Sequence, residues 1–298
     1  MHQHPYRYVV MSFIWMIASA LLVGCTSGQV PDAPQATVPT EEKNAMLITP
    51  QSLEARLTDK TLRILDVRPA AEYDAGHIRG AVRIDLAAWK SLGLSDGGLQ
   101  DATAWAKNVG SLGIGLKTPV AVYGGKLNDA ARAWWILKYV GLSDVRLLDG
   151  DWAAWKAAGR PVETNAVNVT PTDFQPRFQG DRLARTEDVR RYGNDPKVVI
   201  LDARGAREYS AGHVPGAVHL DWNDLLTDSG RFQSPQELRA VFEKVPVEDA
   251  QTVVTYCKSG SRSSAQAFAL ELAGYKNVKN YFRSWQQWSS EVAAPVDR

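Results

Sequence analysis

The sequence predicts an α/β protein built from two tandem copies of one domain, each a mainly parallel sheet with helices on both faces. Three observations carry this. The chain has 298 residues, 45% of them hydrophobic and 22% charged, a length that suits two ordinary domains and a composition that fills real cores. It repeats itself: residues 64–85 (ILDVRPAAEYDAGHIRGAVRID) align with residues 200–221 (ILDARGAREYSAGHVPGAVHLD), 14 of 22 positions being identical at an offset of 136. Short apolar runs of strand length alternate with helical patterns, which implies parallel strands covered on both faces. A period this long marks a duplicated domain rather than a solenoid unit.

In chain order, residues 1–8 are polar with one firm positive charge at Arg7, and residues 9–23 form an apolar run, VVMSFIWMIASALLV. The run is shorter than the roughly 18–20 residues of a comfortable transmembrane helix and fits the apolar core of a secretory signal. It ends in Leu22-Val23-Gly24-Cys25, which resembles the bacterial lipobox. That resemblance implies that Cys25 is lipidated, becomes the new N-terminus and ties the protein to the periplasmic side of a membrane; the alternatives are an uncleaved anchor and a signal with a coincidental cysteine. Thr26 rather than Asp follows the cysteine, which by resemblance to enterobacterial lipoproteins favours the outer membrane. Residues 1–25 are therefore expected to be a signal peptide. Residues 26–45, rich in Pro, Thr, Gln and Ala, are expected to be a flexible tether.

The first domain is expected over residues 46–160. Thr49-Pro50 starts a helix, and residues 62–67 and 119–123 read as strands. Residues 161–180, with three prolines and little periodicity, read as a linker. The second domain is expected over residues 181–298, with strands at 198–203 and 252–256. Ser234-Pro235-Gln236-Glu237 is a capping box with proline at the first helical position. Ala265, Phe268, Ala269 and Leu272 lie at i, i+3, i+4 and i+7, an amphipathic helical face that Gly274 can end. The repeat resumes here at an offset of 133: residues 120–123 answer 253–256, Gly141 answers Gly274, and Trp152 with Trp155 answers Trp285 with Trp288. These tryptophans read as core residues.

The net charge is +1 and no basic run appears, so nothing would draw nucleic acid. Two cysteines, Cys25 and Cys257, exclude both a disulfide framework and a four-cysteine zinc site. Cys257 directly follows an apolar strand and opens the loop Cys257-Lys258-Ser259-Gly260-Ser261-Arg262, with a helix expected from about Ser263. A tight loop entering a helix turns backbone N–H groups inward, and the helix N-terminus adds partial positive charge. Lys258 and Arg262 add full charges, so the thiolate is favoured below the usual ~8.5. Gly260 permits the turn, and the small Ser259 and Ser261 leave room for a compact anion. The competing reading is an inert buried cysteine; the polar, small, cationic loop argues against it. His77 and His213, and Asp66 and Asp202, occur in both copies. Because only one copy has a cysteine, these residues read as structural rather than as acid–base partners.

The paired LDxR…EYxxGH segments, with strand–Cys–loop–helix in the second copy, resemble the tandem-domain rhodanese family of sulfurtransferases, and the resemblance covers about residues 48–288. It implies that Cys257 is the catalytic nucleophile and that the first copy, with Gly124 at the matching position, is catalytically silent and walls the site. It implies a sulfane sulfur taken from thiosulfate onto Cys257 as a persulfide and passed to cyanide or a thiol, with no metal or organic cofactor. It assigns Arg204 to the donor's sulfonate, beside Lys258, Ser259, Gly260, Ser261 and Arg262. Ser259 stands where some members carry Lys, and Arg262 has the alternative of bracing the loop through Asp202 or a neighbouring carboxylate. Relatives preferring 3-mercaptopyruvate carry an uncharged loop, so this cationic one favours thiosulfate. Phosphatases of the same fold separate Cys and Arg by five residues, whereas four separate Cys257 from Arg262. A tethered persulfide carrier or binding module remains the third alternative, because a carrier uses the same thiol.

Overall fold

The computed structural model describes residues 46–298 apart from 194, 249, 292–294 and 298. The expected signal peptide, Cys25 and the tether lie outside them. The first copy runs through β1 (Leu47–Ile48), α1 (Pro50–Glu54), β2 (Arg63–Asp66), α2 (Ala70–Ala75), β3 (His77–Ile78), β4 (Ala81–Arg83), α3 (Leu86–Leu94), α4 (Ala102–Gly110), β5 (Val120–Tyr123), α5 (Leu127–Tyr139), β6 (Val145–Leu148), α6 (Asp151–Ala157) and β7 (Val162–Glu163). Thr49 caps α1, its hydroxyl accepting from Ser52 N–H at 3.1 Å, with Pro50 at the first helical position. The main sheet has the order β1-β6-β5-β2-β4, and every pairing in it is parallel. Successive strand residues point to opposite faces. Leu65, Val120, Val122 and Leu147 therefore enter one core, and Ile64, Ala121, Tyr123 and Leu148 enter another.

The second copy runs through α7 (Thr186–Tyr192), β8 (Val198–Asp202), α8 (Ala206–Ala211), β9 (Val218–His219), α9 (Pro235–Phe242), β10 (Thr252–Tyr256), α10 (Ser261–Leu272), β11 (Val278–Asn280) and α11 (Ser284–Trp288). Its sheet, β11-β10-β8-β9, is again parallel. The expected capping box forms on α9: Ser234 and Glu237 exchange side-chain-to-backbone hydrogen bonds. α10 starts at Ser261, two residues before the sequence places it, and ends as expected. Gly274 takes φ +99°, and Tyr275 N–H reaches Leu270 O at 3.0 Å, a Schellman closure.

One expectation needs correcting. α10 is not amphipathic in its setting: every residue from 263 to 270 is buried, because one side packs on its own sheet and the other on α5 of the first copy. Trp134 of α5 meets Phe268 edge-on at 4.9 Å, and Trp135 stacks on Phe282 at 5.0 Å. One hydrophobic core thus runs from the first copy into the second. The linker 161–180 is packed along the first copy. β7 pairs antiparallel with β3, Thr172 N–H donates to Gly110 O, and Arg177 and Gln179 N–H donate to Val140 and Tyr139 O. Phe174 is buried in the shared core. Backbone pairing with irregular partners leaves no periodic signature, which is why the strap reads as a linker.

Candidate active site

β10 ends at Tyr256 and delivers Cys257 to the mouth of α10, where the residue is 1% exposed. The turn depends on Gly260, which takes φ +94°; a Cβ there would sit 2.7 Å from Phe282 O. In this geometry Gly260 N–H donates to Cys257 Sγ at 3.1 Å. The cysteine backbone is held from the far side by the start of α11. Its N–H donates to Ser284 Oγ at 3.1 Å, and its carbonyl accepts from Trp285 N–H at 3.0 Å. Ser284 adopts φ +57°, a left-handed conformation that is uncommon for serine. Its single hydroxyl proton goes to Tyr281 O at 2.8 Å rather than to Sγ at 3.9 Å. Ser284 therefore positions Cys257 as an acceptor. The sequence reading passed over it, although it directly precedes Trp285 in the repeated tryptophan pair.

Burial is the largest influence on the Cys257 thiol and opposes its ionisation. The Ser263 amide and hydroxyl, the Arg262 charge and the Ser259 amide together outweigh burial and hold the thiol below its ordinary value. Thiolates at helix N-termini beside cations behave in this way. The loop therefore favours the thiolate of a buried cysteine.

The loop residues fall into two groups. The Gly260 N–H and the Ser259 amide face the sulfur, Ser261 Oγ accepts from Asn128 Nδ2 at 3.3 Å, and the Gly260 carbonyl is tied by the Ser263 and Ser264 hydroxyls at 3.2 and 2.6 Å. The cations are placed differently from the sequence reading. Arg204 is 2% exposed and already engaged. Its Nε and Nη2 donate to both oxygens of Asp202 at 2.6–3.0 Å, Nη2 also donates to Gly212 O at 2.8 Å, and the guanidinium lies 4.5 Å from the Trp285 ring. It braces the strand ends rather than offering an open fork to a sulfonate. Arg262 makes a two-pronged pair with Glu208 of α8 at 2.5 and 2.9 Å, the bracing alternative. Lys258 is exposed. A further cation comes from outside the loop: Arg132 of α5 donates to Ser259 O at 3.1 Å. Arg132 carried no sequence signal, and Glu208, although it is the Glu of the repeated EYxxGH segment, was not singled out as the partner of Arg262, because each contact is a long-range approach.

The residues common to both copies are structural. His77 and His213 stack on Tyr73 and Tyr209 at 3.8 Å and bond their carbonyls through Nδ1 at 2.9 and 3.1 Å. Arg68 repeats the Arg204 arrangement on Asp66 and Gly76 O. Trp155 and Trp288 are core residues, whereas Trp152 and Trp285 are only partly buried and carry the two guanidinium groups at 4.0 and 4.5 Å.

Comparison with known proteins agrees with this geometry. The rhodanese-like domain family matches residues 49–158 and 185–291. A Thermus thermophilus protein named "Sulfur carrier protein TtuD" is 32% identical over 84% of this chain and 96% of its own length. A Mycolicibacterium smegmatis "Putative thiosulfate sulfurtransferase" is 31% identical, covering 86% of this chain and 98% of itself. A Pseudomonas aeruginosa "Probable 3-mercaptopyruvate sulfurtransferase" is 34% identical, covering 85% and 98%. Among solved structures, the SseA 3-mercaptopyruvate enzyme of Escherichia coli superposes with a TM-score of 0.71 at 27% identity, over 81% of this chain and 99% of that one.

Proposed function

The chain belongs to the rhodanese-like family and is a sulfurtransferase, and from that premise we propose that it moves a sulfane sulfur from thiosulfate to a thiophilic acceptor through a persulfide on Cys257. The Cys257 thiolate attacks the outer sulfur of thiosulfate, the S–S bond breaks, and sulfite leaves with the electron pair. Cyanide or a thiol then takes the outer sulfur and regenerates the thiolate, a double displacement. The observation that carries this reading is the Gly260 N–H aimed at Sγ at 3.1 Å, in a loop that lowers the thiol's pKa. The loop amides are preorganised for negative charge on sulfur. The residues that touch the reacting sulfur need no metal for this chemistry.

The donor assignment rests on less charge than the loop sequence suggests. Arg204 and Arg262 are each neutralised by a carboxylate, which leaves Lys258 and Arg132 as the cations near the loop. That pairing favours a second reading, 3-mercaptopyruvate as donor, which the Pseudomonas relative's name also brings. A carrier role, as in the name of the Thermus relative, would use the same persulfide without a fixed small-molecule acceptor. Steady-state rates with thiosulfate and with 3-mercaptopyruvate, each with cyanide, separate the readings. Faster turnover of thiosulfate is the expected result; faster turnover of 3-mercaptopyruvate overturns the donor assignment, and bound sulfur with negligible turnover on either marks a carrier.

The placement in the cell is part of the proposal. Cys25 after an apolar run would carry lipid and hold the two domains on the periplasmic side of a membrane, the outer one favoured by Thr26. Cys25→Ser should block lipid labelling and signal processing; unchanged processing would overturn the lipoprotein reading.

A further inference from the structure

Arg132 belongs to the copy without a cysteine, yet its side chain reaches the loop that has one. It is 3% exposed, and its Nη2 donates across the domain boundary to Ser259 O at 3.1 Å. Its Nε is buried with no hydrogen-bond partner, so the side chain is not placed for its own satisfaction. The Ser259 carbonyl and the Gly260 N–H belong to one peptide unit. That unit is planar and trans, so the two groups point in opposite directions. Arg132 holds one end, and the other end donates to Cys257 Sγ at 3.1 Å.

We propose that the silent domain takes part in the chemistry through this peptide: Arg132 is a positioning residue that locks the Ser259–Gly260 unit with its N–H aimed at Cys257 Sγ, so that the thiolate is favoured. The proposal rests on reading Cys257 as the sulfur-carrying thiol. A peptide followed by glycine is free to rotate, because Gly260 tolerates either sign of φ. The rotated form would turn the carbonyl oxygen toward the sulfur and repel its negative charge. A guanidinium on the opposite side draws the oxygen away and polarises the N–H, and in a buried site this interaction is little screened. Position 265 answers Arg132 in the second copy and is alanine, so the reverse arrangement, from active domain to silent loop, is not built. The service runs in one direction, toward the loop with the cysteine.

Among the described residues, the charged groups around the sulfur are few. Arg262 on α10 faces it while paired with Glu208 of α8. Arg132 on α5 interacts with the thiolate and with Asp129. Lys258 in the loop is exposed. Phe282, whose ring lies 5.9 Å from the Arg132 guanidinium, and Ser284 are neutral.

The test uses the full chain and reads Cys257 itself. The rate of iodoacetamide labelling of the Cys257 peptide, followed by mass spectrometry, is measured against pH for wild type, Arg132→Ala and Arg132→Lys, with kcat/KM for thiosulfate over the same range. Arg132→Ala is expected to move the labelling midpoint up by about one pH unit, which lowers thiolate and turnover by up to about tenfold at pH below the wild-type midpoint and by less above it. Both should recover at high pH, and Arg132→Lys should restore most of the loss. An unchanged midpoint overturns the proposal, whether activity is normal or is lost equally at every pH. Should Arg132→Ala fail to fold, Arg132→Gln carries the same readout. Cys257→Ser in parallel separates the two layers: transfer that persists in it sinks the thiol assignment itself, whereas a shift of midpoint is specific to Arg132.

Discussion

In the first copy Tyr123 is followed by Gly124, and in the second Tyr256 is followed by Cys257, yet both peptides are held alike. Gly124 N–H donates to Asp151 Oδ1 and its carbonyl accepts from Trp152 N–H, as Cys257 is held by Ser284 and Trp285. Asp151 and Ser284 even share the left-handed backbone, at φ +59° and +57°. What differs is the space and charge around the missing sulfur. A Cβ on Gly124 would lie 2.7 Å from Val67 Cγ2, and Ala203 stands at the matching place in the second copy. Leu127 replaces the left-handed Gly260, and Asp129 replaces Arg262. The shared Asp–Arg–Tyr–Trp framework belongs to the fold; the proposed chemistry rests on the few positions where the copies part.

The largest expected effect follows directly. Cys257→Ser should lower sulfur transfer by a factor on the order of a thousand or more, the scale of losing a covalent nucleophile, with the circular-dichroism spectrum unchanged. Retained turnover would place the chemistry elsewhere and break the comparison.

Next is a pH effect confined to the first copy. Burial raises the Asp151 carboxyl to about 7, with the Asp66 charge adding to it and the Gly124 and Trp152 amides and Arg68 opposing. A carboxyl raised on folding stabilises the native state fully below its unfolded pKa, and that contribution is lost as pH rises through the folded one. Asp151→Asn removes this titration. Wild type should therefore lose about 2–3 kcal/mol relative to the variant between roughly pH 5 and 8, read from urea melts. Parallel stability profiles would show that Asp151 does not titrate there.

Restoring the nucleophile sharpens the contrast. Gly124→Cys should destabilise the protein by about 1–3 kcal/mol through overpacking against Val67, and Val67→Ala should recover part of that loss. The new thiol should still carry no sulfur from thiosulfate, because no counterpart of Gly260 or Arg262 surrounds it. Sulfur loading at position 124 in the double variant would mean that the framework alone suffices.

The smallest effect is expected at Lys258. An exposed cation is screened and contributes little, so Lys258→Ala should change kcat/KM for thiosulfate by no more than about threefold and flatten its dependence on ionic strength. A loss beyond about tenfold would mean that Lys258 closes onto the bound anion.

Much of this was legible in the sequence, for identifiable reasons. The duplication, the alternating strands, the Ser234 cap and the Cys257 loop are local patterns, and local patterns are written in consecutive residues. Reading His77 and His213 as structural succeeded because the copy without a cysteine supplied an internal control. The same control, applied to Arg68 and Arg204, would have exposed Arg204 as a brace; by resemblance it was assigned to the donor instead. Arg132 and Ser284 escaped because their roles arise from approaches across 127 and 27 residues of chain; Glu208 was visible in the repeated EYxxGH segment, but its pairing with Arg262 spans 54 residues and was not. The all-round burial of α10 escaped for the same reason, since its second face is covered by the other domain.

The central claim is that sulfur is carried at Cys257 and at no position of the first copy. Mapping bound sulfur tests it most directly: incubate the protein with thiosulfate, digest without reductant, and locate added sulfur by mass spectrometry before and after cyanide. The account predicts one extra sulfur atom on the Cys257 peptide, release of an equal amount of sulfite, and loss of that atom to cyanide. Turnover of thiosulfate with the Cys257 peptide unmodified throughout would contradict it.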